Sequence, residues 1–348
     1  MINKKTTHKA MTIRNLFKTF ALAACLCLPN IAMGQNAKER GLQSIQQKDA
    51  ENYLGFLADD LLEGRDAGMR GGKIAARYIV SLLQEWGISP LQPDGYYQPF
   101  DAAMVTKPDR GPWEVHPDSI QKIKARGAHR LRHMNNILAA IPGKRSHEYV
   151  IIGAHYDHEG ILEDVAGDPL YNGADDNASG VTAVLQIAKA FVASGQQPER
   201  TVIFAFWDGE EKGLLGSRHF MLNWQKPADI KCYLNFDMVG RGPVDQPRLV
   251  RYFYTESHPN FGKWLEDDMK TYRFDFDPSY KPWDNPVGGS DNGTFAKAGI
   301  PIIWYHTEGH PDYTRPSDTT DKINFPKLTD ISRASFLTGW HMANEKEL

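Results

Sequence analysis

The chain has 348 residues, 41% of them hydrophobic and 24% charged, a globular balance that excludes a fibrous, disordered or membrane-filled chain and suffices for one large core or two small ones. With 40 Lys and Arg against 43 Asp and Glu, the formal net charge is -3. Nothing in that balance draws the chain to a polyanion, so a nucleic-acid partner is not expected, and a small uncharged or peptide-like substrate fits better.

Taken in chain order, the first element is a leader. Lys4, Lys5, Lys9, Arg14 and Lys18 precede the apolar run Phe20 to Leu28, and Ala32 and Gly34 follow at small-residue cleavage spacing. Residues 1–34 therefore read as a secretory signal peptide, which places the mature chain in the periplasm or outside the cell. The apolar run is far short of the ~20 residues a spanning helix needs, so no membrane span is expected. Leu22 to Cys25 also resembles a lipoprotein cleavage box, which leaves a lipid anchor on Cys25 as the alternative. Removal of the leader takes Cys25 and Cys27 with it, leaving Cys232 alone inside an apolar, strand-like run and without an internal disulfide partner. A buried structural thiol is the expected role.

Residues 35–348 read as one catalytic domain. From Asp49 to Trp86 the pattern is helical, broken by a glycine-rich turn at Gly64 to Gly72; Ala75, Ile79, Leu82 and Leu83 then recur at helical spacing until Gly87. Pro90 to Arg132 shows no sustained period and reads as a connecting excursion. After Asn136, short apolar runs alternate with helical patterns, which predicts a largely parallel central sheet covered by helices on both faces. The predicted strands are Asn136 to Ala140, Tyr149 to Ala154, Thr201 to Trp207, Lys231 to Phe236 and Pro301 to Tyr305. A helix with Val181, Leu185, Ala188 and Val192 on one face separates the second from the third, capped by Asn177 or Ser179.

Each strand but the first runs into metal-competent side chains: His155, Asp157 and His158; Asp208, Glu210 and Glu211; Asp237; His306 with His310 close behind. In α/β sheets ligands bind beyond the carboxyl ends of the strands, so these groups are expected to converge. Taken one at a time, an Asp or Glu after a strand is an ordinary turn former. Jointly, imidazoles and carboxylates are the ligands that suit zinc and related divalent ions. Asp175 and Asp176 add a carboxylate pair before the capped helix, without the alternating ligands of an EF-hand. A bridging carboxylate there would build a two-metal site with ions ~3.5–4 Å apart.

The segments Gly153 to His158, Gly173 to Gly180, Glu210 to Ser217 and Asn235 to Gly240 resemble the zinc-dependent aminopeptidase family, which groups secreted bacterial leucine aminopeptidases with glutamate carboxypeptidase and animal-type glutaminyl cyclases. Leu61 to Arg65, Gly289 to Asn292 and Ser317 to Thr319 fit it as well, so the resemblance spans about Tyr53 to Phe325. It implies the three-layer αβα fold of the zinc exopeptidases, also called phosphorylase/hydrolase-like, with a mixed, mainly parallel sheet. It implies two zinc ions bridged by Asp175, with His155 and Asp237 completing one site and Glu211 belonging to the other. Glu210 would be the general base acting on a zinc-bound hydroxide, and Asp157 would accept the second ring proton of His155. A cis Asp175–Asp176 bond is implied too. The substrate would be a peptide, hydrolysed from its amino terminus. Tyr305 is either an oxyanion partner or a core residue, and Met238, Trp304 and Phe295 either wall a specificity pocket or pack the core.

One position departs from the family. Its last ligand is a histidine in an Asp-Tyr-His segment before the Pro-x-Asp-Thr turn, and this chain has Thr314 there. A threonine hydroxyl is a poor zinc ligand beside imidazole. The second site then requires His310 or His306 to swing in, a weakly held second metal, or a reaction run on one zinc. Carboxypeptidase or dipeptidase action is the second reading of the scaffold, with Arg65, Arg241 or Arg315 holding a terminal carboxylate. A glutaminyl cyclase is the third, and a binding homologue without catalysis the fourth.

Overall fold

The computed structural model describes residues 36–107, 110–162, 167–284 and 288–348; the leader read at residues 1–34 lies outside them. In chain order the helices and strands are α1 (Ala37–Gln43), α2 (Gln47–Leu57), α3 (Arg70–Glu85), β1 (Ser89–Pro90), β2 (Tyr97–Val105), α4 (Pro117–Ala125), β3 (His129–Ile141) and β4 (Arg145–His155). They continue as β5 (Gly160–Ile161), β6 (Leu170–Tyr171), α5 (Gly180–Ser194), β7 (Arg200–Trp207), α6 (Leu215–Asn223), β8 (Ile230–Phe236), β9 (Leu249–Tyr254) and α7 (Asn260–Tyr272). The last are β10 (Asp277–Pro282), α8 (Asn292–Lys297), β11 (Ile302–His306) and α9 (Phe325–Asn344).

Among the described residues, nine strands form one mixed sheet in the order β1-β3-β7-β4-β8-β11-β9-β10, with β2 on β3. Its centre, β7-β4-β8-β11, is parallel. Strands β3 and β9 add antiparallel pairings at either side of that centre. The central strands are apolar on both faces because helices cover both, as parallel sheets require. Val150, Ile152, Val202, Phe204, Leu234 and Ile303 face a large core built with α2, α3, α5 and α9. Their neighbours Ile151, Ile203, Tyr233 and Ile302 face a smaller one around Phe220 and Phe295 of α6 and α8. The period-2 alternation of side chains divides each strand between the two.

Helix α5 lies deepest, with nearly every residue buried, and so reads apolar all round. Asn177 caps it, its Oδ1 accepting from the Gly180 N–H at 3.0 Å, while Ser179 donates back to the Asp175 carbonyl at 2.7 Å. Gly195, at φ 66, ends it.

The five predicted strands are present as β3, β4, β7, β8 and β11, and the interrupted helical stretch before Gly87 as α2 and α3. The excursion read at Pro90 to Arg132 is structured: β2 pairs antiparallel with β3 over Tyr97 to Val105, and α4 packs on it. Phe100, Ala102, Met104 and Met134 form a satellite core there with Trp113 and Val115. The β2 strand hid from the sequence because small and charged residues interleave that alternation. Cys232 is buried in the large core, as expected of a structural thiol.

Candidate active site and metal centre

The parallel centre of the sheet delivers its carboxyl ends to one rim. Strand β4 ends at His155, paired with Trp207 at the end of β7, and β8 ends at Phe236, paired with Tyr305 of β11. The chain therefore leaves the sheet beside its neighbours as it enters 155–158, 208–211, 237 and 306–310.

Among the described residues two groups of potential ligands result, each with its ligand atoms within 4.8 Å of one another: His155, Glu210 and Asp237, and His158, Asp176 and Glu211. The His155 Nε2 lies 3.4 Å from Asp176 Oδ1, 3.5 Å from Asp237 Oδ2 and 3.9 Å from Glu210 Oε2. That nitrogen is buried and has no hydrogen-bond partner. An imidazole nitrogen ringed by carboxylate oxygens but bonded to none is the donor set of a divalent cation, and its imidazole and carboxylate composition suits zinc. In the second group, His158 Nδ1 lies 2.7 Å from Glu211 Oε1 and 3.9 Å from Asp176 Oδ2. Asp176 thus turns one oxygen toward each histidine.

That arrangement differs from the expected one by a residue. Asp175, read as the bridge, points away: its Oδ1 accepts from the Gly240 N–H at 2.6 Å, and its Oδ2 lies 3.2 Å from Nε2 of His310. His310, offered as a stand-in ligand, is buried against Asp175 and belongs to neither group. The irregular turn 174–179 gives successive side chains different directions, so the pair Asp175 and Asp176 splits between two environments. The cis bond also falls one residue later, at Asp176–Asn177, and a second joins Asp237 to Met238.

The groups behind the ligands differ too. The His155 Nδ1 faces the Asp157 backbone carbonyl at 3.1 Å, while the Asp157 carboxylate stands at 3.7 Å. That carboxylate instead receives the N–H groups of Glu210 at 3.0 Å and Glu211 at 3.4 Å. Asp318 Oδ2 accepts the N–H groups of Asp175 and Asp176, fixing the turn. Arg65 is buried and donates to the carbonyls of Tyr156, Leu57, Asn172 and Gly173, tying both loops to the body. Asp208 is buried as a scaffold group, its Oδ2 accepting from Tyr156 Oη and the Asn135 N–H.

Other side chains are settled by their contacts. Tyr305 is buried in the large core with its hydroxyl 2.9 Å from Thr338 Oγ1, remote from an oxyanion role. Phe295 stacks on Tyr233 at 4.0 Å between centroids. Trp304 donates from Nε1 to the Asp237 carbonyl at 3.0 Å, so it braces a member of the first group. Arg241 is engaged by Asp312 at 2.8 Å.

Burial sets the electrostatics. It pushes Glu210 well above the usual carboxylate range, and Glu211 and Asp157 up to about 7, with the mutual repulsion of the acids adding to it. Burial alone would depress His155, but Glu210 and Asp237 raise it well above its ordinary value. His158, by contrast, is pushed down to about 4 by burial and so favours the neutral, ligating form. A divalent cation would relieve the crowding of carboxylates.

A mixed sheet layered by helices, with imidazoles and carboxylates at the carboxyl ends of its parallel strands, is the arrangement of an α/β metallopeptidase. Within that class the chain belongs to peptidase family M28, whose signature matches residues 136–338, more than half of the sequence. A probable leucine aminopeptidase of Arthroderma otae is 28% identical over 277 residues, 75% of this chain and 72% of that protein. Leupeptin-inactivating enzyme 1 of Streptomyces exfoliatus is 32% identical over 196 residues, 54% of this chain and 38% of that one. Among solved structures, the aminopeptidase from Aneurinibacillus sp. strain AM-1 superposes with a TM-score of 0.65 at 17% identity, covering 89% of this chain and 97% of its own. A leucine aminopeptidase precursor from Bacteroides thetaiotaomicron gives 0.62 at 19%, covering 87% and 98%. At those identities the structures show a shared fold.

Proposed function

We propose that this chain is an exported zinc aminopeptidase that removes amino-terminal residues from peptides, holding two ions across Asp176 and using Glu210 as general base. The observation that carries the reading is the Asp176 carboxylate placed between two buried imidazoles, with Glu210 and Glu211 on the same rim. His155 and Asp237 would hold one ion, Glu211 the other, and Asp176 both. Bound there, zinc acidifies the attacking water and polarises the scissile carbonyl.

Glu210 takes the proton of the water and returns it to the departing amine, a task worth about 10²–10⁴ in rate. Its burial, which raises its proton affinity, suits a base that must hold the proton before handing it on. Asp157 is a positioning residue, binding the N–H groups of both glutamates with its carboxylate and His155 through its carbonyl. The acidic rim favours a protonated α-amine over a terminal carboxylate. Of the three arginines read as carboxylate holders, Arg65 and Arg241 are committed to backbone carbonyls and to Asp312, and Arg315 is exposed. The names of the Arthroderma and Aneurinibacillus proteins point the same way.

Export rests on the basic-then-apolar leader at residues 1–34; no helix of the described residues is long and apolar enough to cross a membrane. Amino-terminal sequencing of the processed protein is expected to start near residue 35, whereas a lipidated Cys25 would support the anchored alternative. For the chemistry, zinc-loaded protein is expected to cleave aminoacyl anilides and free-amine peptides and to spare the same peptides once acetylated. Equal turnover of acetylated peptides, or a Glu210→Gln variant as fast as the wild type, would overturn the proposal.

A further inference from the structure

The second zinc ion of the proposed aminopeptidase site needs an imidazole, and the family's position for it is occupied here by the exposed Thr314. The geometry points to His158, three residues past His155 on the chain leaving β4, as the imidazole ligand that replaces it, completing a second metal site with Asp176 and Glu211. This inference rests on the two-ion reading of the site.

Of the nearby histidines, His158 alone has a place in that group. His310 is buried with its Nε2 against Asp175 Oδ2 at 3.2 Å, under the turn that Asp318 holds. His306 sits over the first group instead, its Nδ1 on the Asp237 carbonyl and its ring beside Trp304. His158 is fully buried and holds its Nδ1 2.7 Å from Glu211 Oε1 and 3.9 Å from Asp176 Oδ2, so the three ligand atoms share one small space.

The ring is also fixed from behind. The His158 N–H donates to the Arg65 carbonyl at 3.2 Å, and residue 158 bridges to Asp66. Gly173, at φ 57, abuts the imidazole so closely that a Cβ there would stand 2.5 Å from its Cδ2. A side chain at 173 would drive the ring out of place, and a positive φ suits glycine. All three ligands thus come from segments continuous with β4, α5 and β7, while the 306–319 segment is held by other means: Asp312 accepts from Arg241, Lys322 and Ser317.

The test is zinc titration of the metal-stripped full chain, read by calorimetry and elemental analysis. The wild type and Thr314→Ala are expected to bind two ions, His158→Ala one, and His158→Ala combined with Thr314→His two again, with the second ion's affinity falling at least 100-fold in the single His158 variant. Should His158→Ala not fold, wild-type protein with ¹⁵N-labelled histidine and ¹¹³Cd carries the test. One imidazole is expected to couple to the metal through Nε2, from His155, and one through Nδ1, from His158. Two ions held unchanged by His158→Ala, or a single coupled imidazole in the wild type, would overturn the inference while leaving hydrolysis of free-amine peptides intact. Failure of the aminopeptidase reading shows differently, as absent turnover in wild-type protein that holds its metal.

Discussion

The two groups of potential ligands at the rim are built from the same residue types, yet they arise differently. His155 is the last residue of, and Asp237 the first residue past, parallel strands that are buried over their carboxyl-terminal halves, where the end of an apolar run fixes both position and direction. His158 and Asp176 come from a turn and an irregular segment, where a single residue step changes the face presented. A strand-end side chain is therefore set by the sheet, whereas a turn side chain is set by the contacts packed behind it: Arg65 and Gly173 for His158, Asp318 for Asp176.

The sharpest challenge to this contrast is the neighbouring aspartate pair. Asp176→Asn is expected to weaken both ions and abolish measurable turnover, while Asp175→Asn keeps both, as elemental analysis and kinetics on the two variants will show. Equal metal loss in both would dissolve the distinction between them. Next in size, Glu210→Gln is expected to lower kcat by about 10²–10⁴ with zinc content retained, whereas Glu211→Gln loses the second ion.

Arg65 tests the turn-ligand idea through stability. Replacing it by Met removes the Arg65 donor from four buried carbonyls, of which only Gly173 keeps another among the described residues, the Ala178 N–H; at about 1–3 kcal/mol per unsatisfied group the cost is expected to be at least about 3 kcal/mol, measurable by urea unfolding, with the second ion released before the first. The pH dependence separates the acidic rim from its surroundings. Because Glu211 and Asp157 are raised to about 7, against about 4 unfolded, the folded metal-free chain holds more protons between those values. Its stability from these groups is present at low pH and falls as pH rises to about 7. The rise in Tm on adding zinc is therefore expected to be larger at pH 8 than at pH 5.5, by calorimetry with and without chelator. Asp312 behaves in the opposite sense: Lys322, Ser317 and Arg241 hold it well below the usual range, so its contribution is present above about pH 4 and lost in more acid solution. Asp312→Asn is expected to cost the smallest amount, about 1–2 kcal/mol, and to flatten that acid limb.

What was legible in the sequence follows the same division. The apolar runs of β4, β7, β8 and β11, and the imidazoles and carboxylates directly beyond them, stand out because burial on both faces leaves few polar residues inside the run. Strands β2, β9 and β10 do not stand out, since half-exposed strands mix charge into the pattern. Asp175 and Asp176 are identical in kind, and only the turn's backbone decides which one faces the imidazoles. His158 was visible beside His155, but its role depends on Glu211 approaching from another strand. For Asp157, the sequence could not tell that the carbonyl would serve His155 while the carboxylate served the two glutamates.

The pairing of β7, β4 and β8 as adjacent parallel strands has a consequence for how such a site can change. Adjacent strands lie about 4.8 Å apart, while paired ions need about 3.5–4 Å between them, so the backbone ladder acts as a ruler that sets the spacing before any loop is chosen. A loop that offers no metal-competent side chain, such as that of Thr314 and its neighbour Arg315, leaves that ruler unchanged. Replacement is then a search among short side chains already standing at the right interval, which makes the outer ligands of such a centre exchangeable and the strand register beneath them the part that has to be kept.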